Sequence, residues 1–280
     1  MSIILTGSKG LIGNFLLNRL KKEKNKIEYE LDLRSGFDIL NIDSLKLNRD
    51  TQPVDKFIHL ASFCKINQCI ENPLLAFKNN VEGTYKCLEF CRLNDIKKFI
   101  FTSSSRIVSQ EKNSYTASKI YGEELVKGYQ ECYGVDYVII RPSSVYGPFI
   151  DLTRRLMTEF CIKAFRGEEL PIYGNKAKNL SFTYIDDFIE GFMIAMKQKN
   201  KIFNIYGDEV KIIDVANKII NLVGKGHIKF YPAEIAQPQK IEGKTSEELI
   251  KLGYKPKTDI NKGIRMMVDW HRDNPESWKK

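Results

Sequence analysis

A short apolar run, Ile3-Ile4-Leu5, passes directly into Thr6-Gly7-Ser8-Lys9-Gly10-Leu11-Ile12-Gly13, with glycine at every third position. Each glycine has a separate physical task. Gly7 permits a tight turn, Gly10 lets the backbone approach a pyrophosphate, and Gly13 lets a helix pack closely. The helix that follows offers free N–H groups and the positive end of its dipole to phosphates. Strand, glycine turn and helix in this order predict a dinucleotide site built on Gly7, Gly10, Leu11, Ile12 and Gly13. Asp32 lies 19 residues beyond Gly13, where an acid would hold the adenosine ribose hydroxyls of NAD. Arg34 is placed to pair instead with the 2′-phosphate of NADP. NADP or NAD is therefore expected, with Arg34 tilting the choice toward NADP.

The first half alternates β-type apolar runs with amphipathic helical stretches, the pattern of βαβ units and a parallel sheet. Strands are predicted at residues 3–6, 27–32, 56–59, 98–102 and 136–141, with helices near 11–22, 74–94 and 115–133. After Arg141-Pro142 come helices near 152–166, 212–222, 246–252 and 260–274, separated by short strands and turns. The expected fold is α/β, a Rossmann-type doubly wound parallel sheet with a smaller α+β substrate-binding lobe. Residues 1–148, joined by about 182–206, form the dinucleotide part, and 149–181 with 207–280 form the lobe.

Composition narrows the classes. No apolar run approaches the roughly 20 residues of a bilayer helix, and the first residues do not read as a leader, so a cytoplasmic protein is expected. The six cysteines, at 64, 69, 87, 91, 132 and 161, include no CxxC pair, and reduced thiols are expected. Cys87 and Cys91 sit at i, i+4, but no histidine or carboxylate cluster completes a metal site. The net charge of +9 is spread along the chain. It suits diphosphate-bearing ligands, and no basic stripe marks a nucleic-acid surface.

Tyr115-Thr116-Ala117-Ser118-Lys119 places a tyrosine and a lysine on one helix face. An ammonium beside a phenol favours the phenolate and lowers a pKa near ~10, and a phenol so tuned can exchange a proton with a sugar hydroxyl or ketone. The run Phe101-Thr102-Ser103-Ser104-Ser105 ends a predicted strand and offers hydroxyls to the same cleft.

With these motifs the chain resembles the extended short-chain dehydrogenase/reductase family, in its nucleotide-sugar epimerase, dehydratase and reductase branch. The resemblance also covers His59-Leu60-Ala61, Asn80-Val81-Glu82-Gly83-Thr84, the stretch from Arg141 to Pro148, Phe182-Thr183-Tyr184-Ile185-Asp186-Asp187 and Leu252-Gly253-Tyr254-Lys255-Pro256. It implies that Tyr115 is the acid/base, that Lys119 holds the nicotinamide ribose and tunes Tyr115, and that Ser104 is the assisting hydroxyl. It places Asp38 and Ile39 by the adenine, and Leu60, Ala61 and Asn80 among the cofactor residues. Family 4,6-dehydratases carry an Asp-Glu pair where this chain has Ser105-Arg106, which argues against dehydration. Relatives grip the substrate diphosphate with an arginine where this chain has Leu180; Lys176, Lys178 or Lys240 are candidate substitutes, with Ser105, Arg106 and Ser144 as further substrate residues. The resemblance implies a nucleotide-diphosphate sugar substrate, a homodimer and, most closely, a 4-keto-sugar reductase. A 4-epimerase using bound NAD is the alternative, and a non-enzymatic NADP sensor a third reading from another class. His59 is expected to be a satisfied core residue.

Overall fold

The computed structural model describes residues 1–47, 53–108, 112–236 and 243–279. Its chain runs β1 (Ser2–Thr6), α1 (Leu11–Lys22), β2 (Lys26–Leu31), β3 (Lys56–His59), α2 (Ile66–Glu71), α3 (Pro73–Phe77), α4 (Gly83–Leu93), β4 (Lys98–Thr102), α5 (Ser114–Tyr133), β5 (Asp136–Pro142) and β6 (Ser144–Tyr146). It continues with α6 (Leu156–Arg166), β7 (Glu169–Tyr173), β8 (Asn179–Tyr184), α7 (Ile185–Ala195), β9 (Lys201–Ile205), β10 (Asp208–Lys211), α8 (Ile212–Val223), β11 (His227–Tyr231), α9 (Glu247–Lys251) and α10 (Ile260–Asp273).

Six strands form one all-parallel sheet in the order β2-β1-β3-β4-β5-β9. Alternation along β1 shows why helices cover both faces. Ile3 and Leu5 enter one apolar cluster with Leu16 and Leu20 of α1 and Phe188 and Phe192 of α7. Ile4 points the other way, to Phe57, Phe99, Leu88 of α4 and Val126 of α5. Cys87 and Cys91 lie fully buried in that second cluster, where burial pushes their thiols up. The doubly wound parallel sheet expected from the sequence is present.

Because β2 and β3 leave β1 on opposite sides, the strand order reverses at β1, and a crevice opens at the carboxyl ends there. Two smaller sheets follow. In one, β8 pairs antiparallel with β10 and parallel with β6; in the other, β7 pairs parallel with β11. The first cluster continues without a break into these sheets through Val145, Leu170, Leu180 and Phe182, and into α6 and α10 through Phe160 and Met267.

Several elements differ from the sequence expectation, among them the short helix α2, which no sequence pattern predicts. The helix expected over 74–94 is two helices, α3 and α4, joined by a π-turn at Lys78–Glu82. That turn drives Asn80 inward, where its amide accepts from Phe63 N at 2.7 Å and donates to Phe63 O at 2.9 Å. The helix α7 is not among the predicted helices, because eight of its eleven residues are buried and its polar face is only the narrow stripe of Asp186 and Glu190. The helix expected from residue 152 starts at Leu156, after a turn capped by Asp151.

Candidate active site

Gly7 has φ +74°, and a side chain there would sit 2.7 Å from Ala61 N. A side chain at Gly13 would sit 2.0 Å from Gly7 O. The loop is thus pressed between the start of α1 and the end of β3. No side chain caps α1 at Gly10, so the first amides of that helix face the cleft with a positive dipole end.

Two residues after β2 pin this loop from the other side. Asp32 accepts from Lys9 N and Arg34 N, each at 2.9 Å, and Arg34 Nη1 donates to Lys9 O at 3.0 Å. The carboxylate and the guanidinium therefore hold one loop residue from above and below. Asp38 caps the next short turn by accepting from Leu40 N at 2.9 Å, and Ile39 packs against Gly83.

Behind the loop, Thr6 Oγ1 accepts from Leu60 N and Ala61 N at 3.2 Å and lies 2.9 Å from His59 Nδ1. With two donors already on its oxygen, the threonine hydroxyl gives its own proton to Nδ1. Nε2–H then donates to Thr84 Oγ1 at 3.2 Å, which itself donates to Asn80 O. Both ring nitrogens of His59 are used, as expected of a satisfied core histidine. Burial, helped by the charge of Lys119, pushes its pKa down to about 3, so the ring is neutral at ordinary pH.

A cleft of about 530 Å³ lies over the carboxyl ends of β1 to β5. Its walls include Gly7, Gly10, Leu11, Ile12, Gly13, Asp32, Arg34, Asp38, Ile39, Leu60 and Ala61 on one side, and Ser104, Ser105, Arg106, Tyr115, Lys119 and Ser144 on the other. Three expected site residues are elsewhere. Asn80 is buried behind the wall, where it holds Ser62 and Phe63 in place, because its amide is consumed by the backbone of Phe63. Lys176 leaves the cleft to lie over the Phe230 ring at 4.3 Å, and Lys178 belongs to the same β7–β8 turn. Lys240 lies outside the described residues.

Tyr115 and Lys119 are brought in by α5. Asn113 caps the helix by accepting from Thr116 N at 2.9 Å, and Gly122 lets it lie directly on Phe101, where a side chain would come within 2.4 Å of the ring. Burial pushes the Tyr115 phenol well above its usual range. A hydrogen bond from Ser104 and the charge of Arg106 pull the other way. Lys119 Nζ donates instead to Thr102 O at 2.9 Å and stands 5.9 Å from the Tyr115 ring centre. The spacing predicts Lys119 as the group that lowers the phenol; in the folded chain Ser104 and Arg106 do so, and burial outweighs them. Burial also brings Lys119 down to about 8, opposed by Cys64, Cys69 and Glu123.

The structure adds cleft residues that no motif marked. Asp151, Thr153 and Arg155 come from the turn before α6, Thr158 from the first turn of α6 itself, and Cys64 and Lys65 from the segment before α2. The only local sign was Asp151-x-Thr153-x-Arg155, a spacing that suits a capped turn. A second cleft of about 540 Å³ adjoins the first, with Phe160, Pro171 and Tyr173 among its walls.

The family model for the NAD dependent epimerase/dehydratase family matches residues 3–205, which include both the glycine loop and the Tyr115/Lys119 helix. The chain belongs to that family. Members of the family that it resembles include a trifunctional UDP-glucose 4,6-dehydratase/UDP-4-keto-6-deoxy-D-glucose 3,5-epimerase/UDP-4-keto-L-rhamnose-reductase of Arabidopsis thaliana, 27% identical over 99% of this chain and 48% of the relative. The chain thus spans about half the length of that relative. A UDP-glucuronate 4-epimerase of Thermodesulfobacterium geofontis is 28% identical over 93% of this chain and 84% of its own. Among solved structures, the UDP-glucose 4-epimerase of Thermotoga maritima with UDP-glucose superposes with TM-score 0.89 at 21% identity, covering 98% of this chain and 100% of the other. The Thermus thermophilus UDP-glucose 4-epimerase in complex with NAD gives TM-score 0.89 at 21% identity over 97% and 99%. Among the described residues, no helix is long and apolar enough to cross a membrane.

Proposed function

We propose that this protein moves a hydride between a nicotinamide dinucleotide and a carbon of a nucleotide-diphosphate sugar, with Tyr115 as the acid/base. The observation that carries this is the convergence of Ser104, Tyr115 and Lys119 on the cleft that the glycine loop borders. The loop of Gly7 to Gly13 and the first amides of α1 hold the diphosphate of the dinucleotide. Asp32 takes the adenosine ribose, Asp38 and Ile39 flank the adenine, and Leu60 and Ala61 form the groove wall. When bound, the nicotinamide dinucleotide supplies the carbon that gives or accepts hydride. Residues 1–148 with 182–206 serve as the dinucleotide part, and 149–181 with 207–280 form the opposing wall for the sugar and its nucleotide, whose base the second cleft accommodates.

The favoured reaction is reduction of a nucleotide 4-keto sugar. A buried phenol keeps its proton, which suits it to protonate a carbonyl oxygen as hydride arrives, while Ser104 orients the same oxygen. A 4-epimerase is the second reading, favoured by Asp32. Its carboxylate is fixed by two backbone amides at the ribose end of the cleft and would repel a 2′-phosphate, which fits NAD better than NADP. Arg34 is the counterweight, because its guanidinium borders the same end of the cleft.

The deciding experiment screens NADH and NADPH oxidation against a panel of UDP-, dTDP- and GDP-linked 4-keto sugars. One reduced nicotinamide consumed per product establishes the reductase. Interconversion of C4 epimers with no net consumption establishes the epimerase. Dinucleotide binding with neither activity across the panel overturns the reading. The exposed apolar side chains of α3, α4 and α5, Leu74, Phe77, Tyr85 and Tyr121, support a homodimer through these helices, which a monomeric mass in solution would disprove.

A further inference from the structure

The two clefts meet at Lys65 and Leu156, which line both. Next to this waist stand two consecutive arginines. Arg155 lines the first cleft, and Arg154 lines the second. Successive side chains reach two different chambers because the backbone between them is kinked, with Arg154 at φ 46°, in the left-handed region.

Asp151 builds that kink. Its carbonyl oxygen accepts from Arg154 N at 2.9 Å. Its Oδ1 accepts from Thr153 N at 3.0 Å and Thr153 Oγ1 at 2.6 Å, and its Oδ2 accepts from Arg155 Nε at 2.7 Å. The Arg155 guanidinium is thereby anchored through Nε while its two terminal amino groups stay outside that bond. A left-handed turn is the natural place for glycine, and an L-residue there costs about 1 kcal/mol or more. The turn itself gains nothing from a guanidinium, so the side chain calls for another explanation.

Charge around the waist supplies one. In the second cleft, Glu169 is engaged by Lys229 at 2.8 Å and Glu234 by Asn67 at 2.5 Å, leaving Glu159 as the remaining acid of that wall. In the first cleft, β8 contributes the apolar Leu180 and Phe182. A ligand that reaches from Tyr115 into the chamber of Tyr173 passes the shared wall of Lys65 and Leu156, with Arg155 lining the first cleft and Arg154 the second. We infer that Arg154 and Arg155, with Lys65, clamp the diphosphate that joins the sugar to its nucleoside, and that Asp151 is the positioning residue that aims the clamp. This rests on the function proposed above and names the groups that grip its substrate.

The test measures calorimetric binding of a panel of UDP, dTDP, GDP, CDP and ADP to the full chain saturated with NAD. Arg155→Gln and Arg154→Gly should each weaken the best-bound diphosphate by about tenfold or more, as loss of a charge-assisted contact does, with NAD affinity unchanged. Arg154→Gly should also keep or raise the melting temperature, since it relieves the left-handed turn, whereas Arg154→Ala should lose affinity and melt lower. A purely structural role for Arg154 would leave binding intact in the glycine variant. Wild-type affinity in both Arg155→Gln and Arg154→Gly overturns the clamp while the proposed function stands. A wild-type chain that binds NAD but no diphosphate of the panel overturns the proposed function, and the clamp with it.

Discussion

Lys119 donates its hydrogen bond to the carbonyl oxygen of Thr102, the last residue of β4, at 2.9 Å. The ammonium is therefore tied to the sheet, and the proton on the neighbouring phenol is governed by burial against the pull of Ser104 and Arg106. Tyr115→Phe should lower kcat by about 100-fold or more, the usual worth of a positioned acid/base, with NAD affinity nearly unchanged. Ser104→Ala removes a bond that lowers the phenol pKa, so the limb of the pH–rate profile set by Tyr115 should move to higher pH. A profile that stays in place would remove Ser104 from control of that proton.

Two glycines on helices make a matched pair. In Gly13→Ala the new methyl would meet Gly7 O at 2.0 Å, whereas nothing lies within 4 Å of the same position at Gly128. Gly13→Ala should weaken NAD binding by about tenfold or more and lower the melting temperature, because only backbone can yield. Gly128→Ala should instead stabilise the chain by about 0.4–1 kcal/mol by restricting the unfolded state. Equal behaviour of the two in a thermal and fluorescence titration would contradict the loop geometry.

Acid sensitivity follows from two buried histidines. His59 is pushed down to about 3 and His271 to about 4, both by burial. The unfolded chain titrates histidine near ~6.5, so below that pH it binds protons that the folded chain refuses. Stability should be level above about pH 6.5 and fall as pH drops toward 4, by about 1.4 kcal/mol per unit for each histidine. Urea unfolding at pH 7, 6 and 5 checks this, and His271→Gln should flatten the slope.

Glu123 is nearly fully buried and receives Arg141 Nε at 2.8 Å and Nη2 at 2.6 Å, which ties α5 to the end of β5. Breaking such a pair strands a charge. Glu123→Gln should cost about 3–5 kcal/mol in denaturant unfolding, and Glu123→Leu combined with Arg141→Met should recover much of it. A loss below about 1 kcal/mol would show that water reaches the pair.

What the sequence revealed depended on how local its cause was. The glycine loop, β1 to β5 and the Tyr115/Lys119 helix are written in contiguous spacing, and the fold keeps them. The helix α7 was hidden because it is buried on nearly every side, and Asn80 was misplaced because a π-turn rotates it away from the groove. For Arg155 and Arg154 the sequence offers only the Asp151-x-Thr153-x-Arg155 turn spacing and nothing that marks a site, since their position depends on a turn fixed by Asp151 and on two chambers formed by distant segments. The direction of the Tyr115 shift was likewise invisible, because helical spacing shows that Lys119 is near but not that Thr102 has claimed it.

The outermost strand β9 pairs with β5, from Val138↔Lys201 to Pro142↔Ile205, only after five intervening elements have been laid down. During synthesis, β5 must therefore wait with a row of bare amide and carbonyl groups, flanked by Val138, Ile139 and Ile140. A nascent chain stalled before Lys201 would present a ready template for pairing with another copy. Yield in the cell should then depend on how quickly the ribosome delivers that last strand, or on a chaperone that shields its partner in the meantime.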